Sequence, residues 1–304
     1  MINKIRKFIL LIATVTFIIS ASYLVYHQIS KNIDKNKITA SVAESNSLSN
    51  LEVDGYSKEY RDDPRIKNIY KQNQDVVGWI KIENTSLDYP VFKAKDDVKN
   101  EFYIRKGIDK KYNLYGLPFV DYKSSIDPLS KNVVIYGHNM GAEDVMFGLL
   151  KHYNKFDRYC SNSASKALQF YKDHPIINFD TLSEENKWKI FSVFIMDGED
   201  ASEFQYVKYI NEDDGFETFL EQAQKRSLIK TAVDVDEDDE FLTLSTCTYE
   251  LASGKLRLVV VARKLRPDET EDCNVDKAET ASRLINAQML VRLLWRRSYR
   301  IKKH

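Results

Sequence analysis

The stretch Phe-Leu-Thr-Leu-Ser-Thr-Cys at residues 241–247, followed by Leu-Arg-Leu-Val-Val-Val-Ala at residues 256–262, predicts two adjacent β-strands. Apolar and β-branched residues dominate both stretches, and a Ser-Gly pair at residues 253–254 between them is a turn signal. In an antiparallel hairpin of this length, Cys247 lies almost opposite Arg257, with Cβ atoms about 5 Å apart. The sequence therefore predicts a thiol beside a guanidinium at the end of a strand pair.

A histidine stands at the end of a third predicted strand, in Val-Val-Ile-Tyr-Gly-His-Asn-Met at residues 133–140. The nucleophilic form of cysteine is the thiolate, which nearby positive charge favours, and the imidazole of His138 can protonate a leaving amine. A guanidinium does not readily lose its proton, so Arg257 is expected to stabilise negative charge. Each residue alone has a simpler explanation, as a core cysteine, a structural histidine or a surface charge. The combination favours an acyl-transfer site.

Short predicted strands recur along the chain and indicate a mainly β fold with helices, of the α+β class. The predicted strands cover residues 76–82, 89–92, 119–122, 133–136, 176–179, 188–196, 241–247 and 256–262. One helix is predicted from Pro64 to about Gln72, and an amphipathic helix at about residues 212–227. Many short strands with long connections favour a closed barrel.

Three further sequence blocks precede the histidine motif in the chain. They are Asp-Val-Val-Gly-Trp-Ile at 75–80, Asn-Glu-Phe-Tyr-Ile at 100–104 and Gly-Leu-Pro-Phe-Val-Asp-Tyr at 116–122. Together with Thr-Leu-Ser-Thr-Cys, the arginine ten positions later and Tyr-Gly-His-Asn-Met, they resemble the class B sortases. The resemblance covers about residues 60–266. It implies a sortase-type closed β-barrel with N-terminal helices and a long helix before the strand that ends in the cysteine.

By this resemblance, the chain is expected to be a cysteine transpeptidase. Cys247 would attack a carbonyl in a sorting motif near the C-terminus of an exported protein, His138 would protonate the departing amine, and Arg257 would stabilise the oxyanion. An amine of the peptidoglycan precursor or cross-bridge would then open the thioester. The sequence does not decide whether the sorting motif is Asn-Pro-Gln-Thr-Asn-like or Pro-Lys-Thr-Gly-like.

Three other functions compete with transpeptidation. In a peptide hydrolase, water opens the thioester; in a catalytically silent membrane-tethered peptide-binding module, the barrel is kept but the chemistry is lost. Intact Cys247, His138 and Arg257 argue against the silent module. A papain-like enzyme is disfavoured, because the signature around its cysteine is absent and the cysteine here follows the histidine in the chain.

The resemblance also implies five substrate-binding residues. For each of them the alternative is ordinary barrel packing or a strand-end hydrogen bond. Ile104 departs conservatively from the leucine that the family often has at that position. The five are Asn100, Ile104, Tyr136, Ser245 and Thr246.

The N-terminus carries a candidate membrane anchor. Residues 1–7 include three basic side chains, and the uncharged, mostly apolar residues 8–26 are enough to cross a bilayer core as a helix. A cleaved signal peptide is the alternative, because Ser20-Ala21-Ser22 loosely resembles a cleavage site, but the length of the apolar run favours an anchor. Since lysines follow the span as well, the resemblance, not the charge, implies cytoplasmic residues 1–7 and an extracellular catalytic domain. Polar residues 27–60 predict a stalk, partly helical or disordered.

The composition fits one exported domain with appendages. Of 304 residues, 43% are hydrophobic and 30% are charged, and the formal net charge of zero argues against a nucleic-acid-binding protein. The predicted catalytic domain spans residues 61–266. Residues 267–304 form a C-terminal extension. Its end, at residues 283–304, fits either a basic amphipathic helix suited to an anionic membrane surface or a partner, or a disordered or loosely docked appendage.

The remaining polar motifs predict neither a cofactor nor a metal site. The acidic run at residues 234–240 lacks the glycine and the spacing of an EF-hand loop, so a solvated loop is favoured over a calcium site. The three cysteines allow one disulfide, Cys160 to Cys273, that would leave Cys247 free.

Overall fold

The structure is a computed structural model of the chain. It describes residues 2–45, 53–95, 102–154, 163–198, 204–211, 215–247 and 256–281. The helices are α1 Ile2–Ser45, α2 Pro64–Gln72, α3 Ala164–Asp173 and α4 Phe216–Arg226. The strands are β1 Val76–Lys81, β2 Asp88–Phe92, β3 Phe119–Val120, β4 Asn132–Tyr136, β5 Ile176–Thr181, β6 Lys187–Asp197, β7 Ile229–Lys230, β8 Phe241–Cys247, β9 Leu256–Lys264 and β10 Glu279–Thr280.

Eight strands close into a barrel in the order β1-β2-β3-β4-β8-β9-β6-β5, with β5 pairing back to β1. Strands β4 and β8 are parallel, so their carboxyl ends meet at the same rim of the barrel. Strand β9 is antiparallel to β8, and its first residues therefore lie at that rim too. The prediction of a mainly β closed barrel with N-terminal helices and a helix before the cysteine strand is confirmed.

Alternation along the strands divides the apolar residues between the inside and the outside of the barrel. In β8, Leu242 and Leu244 belong to the interior core, whereas Phe241 belongs to a second core that includes Phe216 and Phe219 of α4. Each such fully buried side chain contributes about 1.5–3 kcal/mol relative to an exposed one. The amphipathic stripe of α4 is thus core packing that covers the outer face of β6, β8 and β9.

The N-terminal helices pack on the opposite part of the barrel. Helix α2 begins where Asp63 accepts a hydrogen bond from the backbone N–H of Arg65 (2.9 Å) and Pro64 occupies the first turn. Helix α1 contains an exposed apolar stretch that is long enough to cross a membrane, and it continues as a helix to Ser45. Near its C-terminal end, Ile38 is buried in a core shared with α2 and β1.

Three features were not predicted from the sequence. Helix α3 was missed although Ala164, Ala167, Leu168 and Tyr171 recur at helical spacing, with Ala167 and Tyr171 buried. Strands β7 and β10 are two residues each and pair with one another, which carries the packed structure past residue 266 to Ala281. The acidic run is tied into ion pairs, because Asp234 and Asp239 both accept hydrogen bonds from Arg266.

Several predicted features lie wholly or partly outside the described residues. Cys273 is a buried free thiol, and burial raises its pKa to about 11, but its predicted partner Cys160 is not described. Also outside the described residues are Asn100, the start of the predicted helix at 212–214 and the basic end of the chain at 282–304.

Candidate active site

The strand register places Cys247 and Arg257 directly opposite each other. Cys247 is the last residue of β8 and pairs with Arg257 of β9, which confirms the predicted register. Arg257 Nη1 lies 3.4 Å from Cys247 Sγ, and both side chains are half-buried at the barrel rim. A guanidinium at this distance can stabilise negative charge that develops on a carbonyl oxygen attacked by the thiol.

His138 reaches the same rim from β4. Tyr136, the last residue of β4, pairs with Ser245, and the next backbone N–H, that of Gly137, donates to the Ser245 carbonyl (3.2 Å). The parallel pairing therefore continues past the regular strand and sets His138 alongside Cys247. Because successive side chains alternate, His138 lies on the same face as Tyr136. The fold thus brings the predicted histidine, cysteine and arginine to one edge of the barrel.

The imidazole of His138 is in a dry, electropositive environment. Its Nε2 is buried and has no hydrogen-bond partner among the residues that the structure describes. The backbone carbonyl of Ile104 contacts the ring, and we assign that contact to Nδ1. Burial, with a smaller contribution from the positive charge of Arg105, lowers the pKa of His138 to about 4. The ring is therefore neutral at neutral pH and can accept a proton through Nε2.

Two side-chain hydrogen bonds hold the histidine segment against the cysteine strand. Thr246 Oγ1 donates to the carbonyl of Gly137 (2.7 Å), and Asn139 Nδ2 donates to the carbonyl of Cys247 (2.9 Å). Asn139 Oδ1 in turn accepts from the N–H of Gly141 (2.9 Å). A side chain at Gly137 would overlap the ring of Phe147, with 2.5 Å between its Cβ and the nearest ring atom. This close approach requires glycine before the histidine.

A buried polar network lies behind the rim. The Tyr206 hydroxyl donates to Ser245 Oγ (2.7 Å), and the Tyr136 hydroxyl donates to Asp121 Oδ2 (2.8 Å). The two tyrosine side chains also interact with each other. Burial raises the pKa of both tyrosines, which keeps them protonated and able to donate. The network links Ser245, two positions before Cys247, to a buried carboxylate.

The five predicted substrate-binding residues have different environments. Ile104 is 40% exposed beside His138, and Tyr136 is half-buried in the polar network. Ser245 and Thr246 are buried, at 1% and 2% exposure, and their hydroxyls bond other groups of the barrel. Asn100 lies outside the described residues.

Sequence reasoning missed Asn139 and Tyr206. The only sequence signal for Asn139 was an amide side chain directly after a candidate catalytic histidine. Tyr206 is one of many tyrosines and had no local signal, because it reaches Ser245 across 39 positions of chain. Within the described ranges, no group of three or more His, Cys, Asp or Glu side chains could hold a metal ion.

The sequence profile of the sortase domain matches residues 80–265 of this chain, the stretch that carries Cys247, His138 and Arg257. The chain belongs to the sortase family. Sortase B of Staphylococcus aureus is 30% identical over 204 residues, which cover 67% of this sortase and 75% of that protein. Sortase B of Listeria monocytogenes is 30% identical over 203 residues, which cover 66% and 74% of the two chains.

Solved structures agree with this assignment. The crystal structure of Clostridium perfringens sortase B is 32% identical, with a TM-score of 0.54, and the match covers 66% of this sortase and 99% of that chain. The structure of a Staphylococcus aureus sortase B–substrate complex is 25% identical, with a TM-score of 0.55, and covers 80% and 97%. The predicted class B sortase is confirmed, and with it the activity of a cysteine transpeptidase.

Proposed function

We propose that this sortase is a membrane-anchored enzyme that cleaves a C-terminal sorting motif of exported proteins and transfers the acyl group to a cell-wall amine. Cys247 would carry the acyl group as a thioester. The observation that supports this proposal most strongly is the meeting of Cys247, His138 and Arg257 at one rim, with Arg257 Nη1 3.4 Å from the sulfur.

The first half-reaction forms the thioester. As Cys247 Sγ attacks the scissile carbonyl, neutral His138 accepts the thiol proton on Nε2, and Arg257 stabilises the oxyanion. When the tetrahedral intermediate collapses, the C–N bond breaks and His138 returns that proton to the departing amine. A histidine with a lowered pKa suits this sequence, since it is neutral before the attack and a strong acid once protonated.

The second half-reaction releases the acyl group. The acceptor amine attacks the thioester while His138 takes one of its protons, and collapse of the second intermediate forms an amide and returns the proton to the Cys247 sulfur. Water in place of the amine would give hydrolysis. A solved sortase B complex with triglycine and the Staphylococcus aureus substrate complex support a peptide donor and an amine acceptor.

The peptide would lie along the rim between β8 and the segment around Ile104. The exposed Ile104 side chain would contact the peptide and half-buried Tyr136 would form the floor of the groove, while Ser245, at 1% exposure, would support that floor from beneath. Asn100 would line the same groove. For Thr246 the hydrogen bond to Gly137 supports positioning of the histidine segment in addition to any substrate contact.

The cellular arrangement follows from the N-terminal helix. We propose cytoplasmic residues 1–7, a single membrane span at residues 8–26, a stalk at 27–60, an extracellular catalytic domain at 61–266 and a C-terminal extension at 267–304, whose first part, as far as Ala281, packs on that domain. The apolar stretch of α1 supports the span, and its continuation as a helix to Ser45 supports a stalk that holds the domain outside the membrane.

Mass spectrometry tests the chemistry directly. The protein is incubated with peptides that carry Asn-Pro-Gln-Thr-Asn or Pro-Lys-Thr-Gly, with and without triglycine, and with Cys247→Ala as the control. We expect a thioester adduct on Cys247 and faster product release with triglycine than with water alone. Equal release by water and amine would indicate a hydrolase, and no adduct from the folded protein with either peptide would indicate a silent binding module.

A further inference from the structure

One face of the stalk helix contacts the catalytic domain. Residues at positions i, i+3, i+4 and i+7 of α1, namely Lys31, Asp34, Lys35 and Ile38, face the domain together. Ile38 and Asp34 are buried, at 4% and 7% exposure, although Asp34 carries a carboxyl group. A buried carboxylate is retained only where it is bonded, so this face is a built contact rather than a chance approach.

The two lysines of this face bond one carboxylate, that of Glu143. Lys31 pairs with Oε1 and Lys35 with Oε2 (3.2 Å), and the Tyr115 hydroxyl donates to the same carboxylate (3.1 Å). Partial burial alone would raise the pKa of Glu143, but the hydrogen bonds from Lys31, Lys35 and Tyr115 outweigh it and hold that pKa below its usual range. Glu143 is therefore charged and attached to the stalk at neutral pH.

Glu143 sits in the loop that directly follows His138. The base of this loop is closed by a hydrogen bond from the Phe147 N–H to the His138 carbonyl (3.0 Å) and by a bridge between Asn139 and Met146. The Glu143 carbonyl also accepts a hydrogen bond from the buried Lys151 (3.1 Å). Because the loop is short and closed at its base, a displacement of Glu143 is expected to displace the backbone of His138.

The stalk also contacts the segment on the other side of the imidazole. Asp34 Oδ2 accepts from the N–H of Leu114 (3.0 Å), and the Leu114 carbonyl accepts from Arg105 Nη1 (2.7 Å). Arg105 is the residue whose charge acts on His138, and its neighbour Ile104 contacts the ring through its carbonyl. Both segments that flank the histidine are therefore attached to the same helix face.

We propose that the stalk helix is part of the catalytic apparatus, with Lys31, Asp34 and Lys35 as positioning residues that hold the two segments around His138. This inference rests on the proposed role of His138 in the reaction. As a consequence, kcat depends on the contact between the stalk helix and the catalytic domain, and the enzyme reaches its full rate only when that contact is formed.

Charge exchange in the full-length protein, in phospholipid nanodiscs, tests the proposal. Glu143→Lys should lower kcat on the order of tenfold, because small displacements of a catalytic group are costly, with KM for the sorting peptide changed by less than about threefold. Combining Glu143→Lys with Lys31→Glu and Lys35→Glu should restore most of kcat. The control combines Glu143→Lys with Lys37→Glu, an exposed lysine of the same helix outside the docked face, and should restore nothing.

A readout that does not depend on turnover separates this proposal from the proposed function. The pKa of His138 is measured by NMR on ¹³C-histidine-labelled protein, with the resonance assigned through His138→Gln. Lys31→Gln combined with Lys35→Gln, which leaves the barrel sequence intact, should shift that resonance and its titration. An unchanged resonance and unchanged kcat in this variant, or a folded charge-exchanged protein that stays slow, would overturn the proposal. A wild-type protein without activity on either peptide would count against the proposed function, while the resonance would still decide the stalk's role.

Discussion

On one side of the active-site rim, Cys247 and Arg257 face each other within a regular antiparallel ladder; on the other side, His138 lies beyond the last ladder residue of its strand. The first pair is separated by ten positions of chain, and strand alternation with one hairpin is enough to bring it together. The histidine segment meets the cysteine across more than a hundred positions, as the bond between Asn139 and Cys247 shows. Local pairing therefore places the proposed nucleophile beside its cation, and tertiary contacts place the proposed acid–base group.

This difference predicts that substitutions on the two sides of the rim impair the enzyme in different ways. A substitution in the ladder removes a chemical group but leaves the geometry around it in place. Around His138, several side-chain hydrogen bonds take the place of the backbone ladder, which ends at Tyr136. A substitution that removes one of them is expected to change both the chemical groups and the geometry of the site.

The largest effect is expected for His138→Gln. This change keeps a polar side chain of similar size but removes the proton carrier, so kcat should fall by about 10²–10⁴-fold. The measurement is single-turnover thioester formation followed by mass spectrometry. A fall of only a few-fold would mean that another group moves the proton and that the histidine side of the rim is not the acid–base side.

A smaller loss is expected for Arg257→Met on the ladder side. Methionine keeps much of the packing but not the charge, and the loss of one oxyanion donor costs about 10²–10³-fold in kcat. Cys247 should still react with iodoacetamide, because the strand register is unchanged. Arg257→Lys serves as the control that keeps a positive charge without the planar fork, and activity near that of Arg257→Met would show that geometry matters beyond charge.

Thr246→Val tests the bonds that replace the ladder around His138. Losing the hydroxyl that bonds the Gly137 carbonyl should lower kcat on the order of tenfold, with KM nearly unchanged and with Thr246→Ser close to wild type.

Thr243→Val is the matched control for this test, because Thr243 Oγ1 makes a buried bond to Asn132 Oδ1 between the same two strands, away from the rim. It should cost about 1–3 kcal/mol of stability without lowering the kcat of the folded protein. Equal kinetic effects of the two valine variants would show that the Thr246 bond serves only the barrel.

The smallest effect is expected for Arg105→Gln. Removing a positive charge beside the imidazole favours its protonated form, so the pKa of His138 should rise from about 4. The rise should be modest, because burial is the larger cause and Arg105 is exposed. An NMR titration measures it, with Lys111→Gln as the control at an exposed basic residue of the same segment. A fall, or an equal rise in the control, would contradict the assignment.

The same contrast explains what could be predicted from the sequence. Period-two alternation and a turn signal placed Cys247 opposite Arg257, and the bounds of β8 and α2 agree with the predicted ones because both elements have strong local signals. Residue type and position at a predicted strand end marked His138 as a candidate, but no local pattern predicted the parallel pairing of β4 with β8 that brings it toward Cys247.

Other parts of the site could not be predicted, because they depend on contacts distant in sequence. The hydrogen bonds from Tyr206 to Ser245 and from Asn139 to Cys247 join segments that are far apart in the chain, and the ion pair of Glu143 with Lys31 joins the loop to a helix that precedes the domain. The two-residue strands β7 and β10 are too short for alternation to mark them.

A crystal structure of the protein with a substrate-mimicking peptide linked to Cys247 tests the central claim most directly. The account predicts that the linked carbonyl oxygen lies within hydrogen-bonding distance of the Arg257 guanidinium, about 2.7–3.2 Å, with His138 Nε2 turned toward the position of the leaving amine. A peptide that leaves the rim on another face, or an imidazole held away from the sulfur in the occupied site, would contradict it.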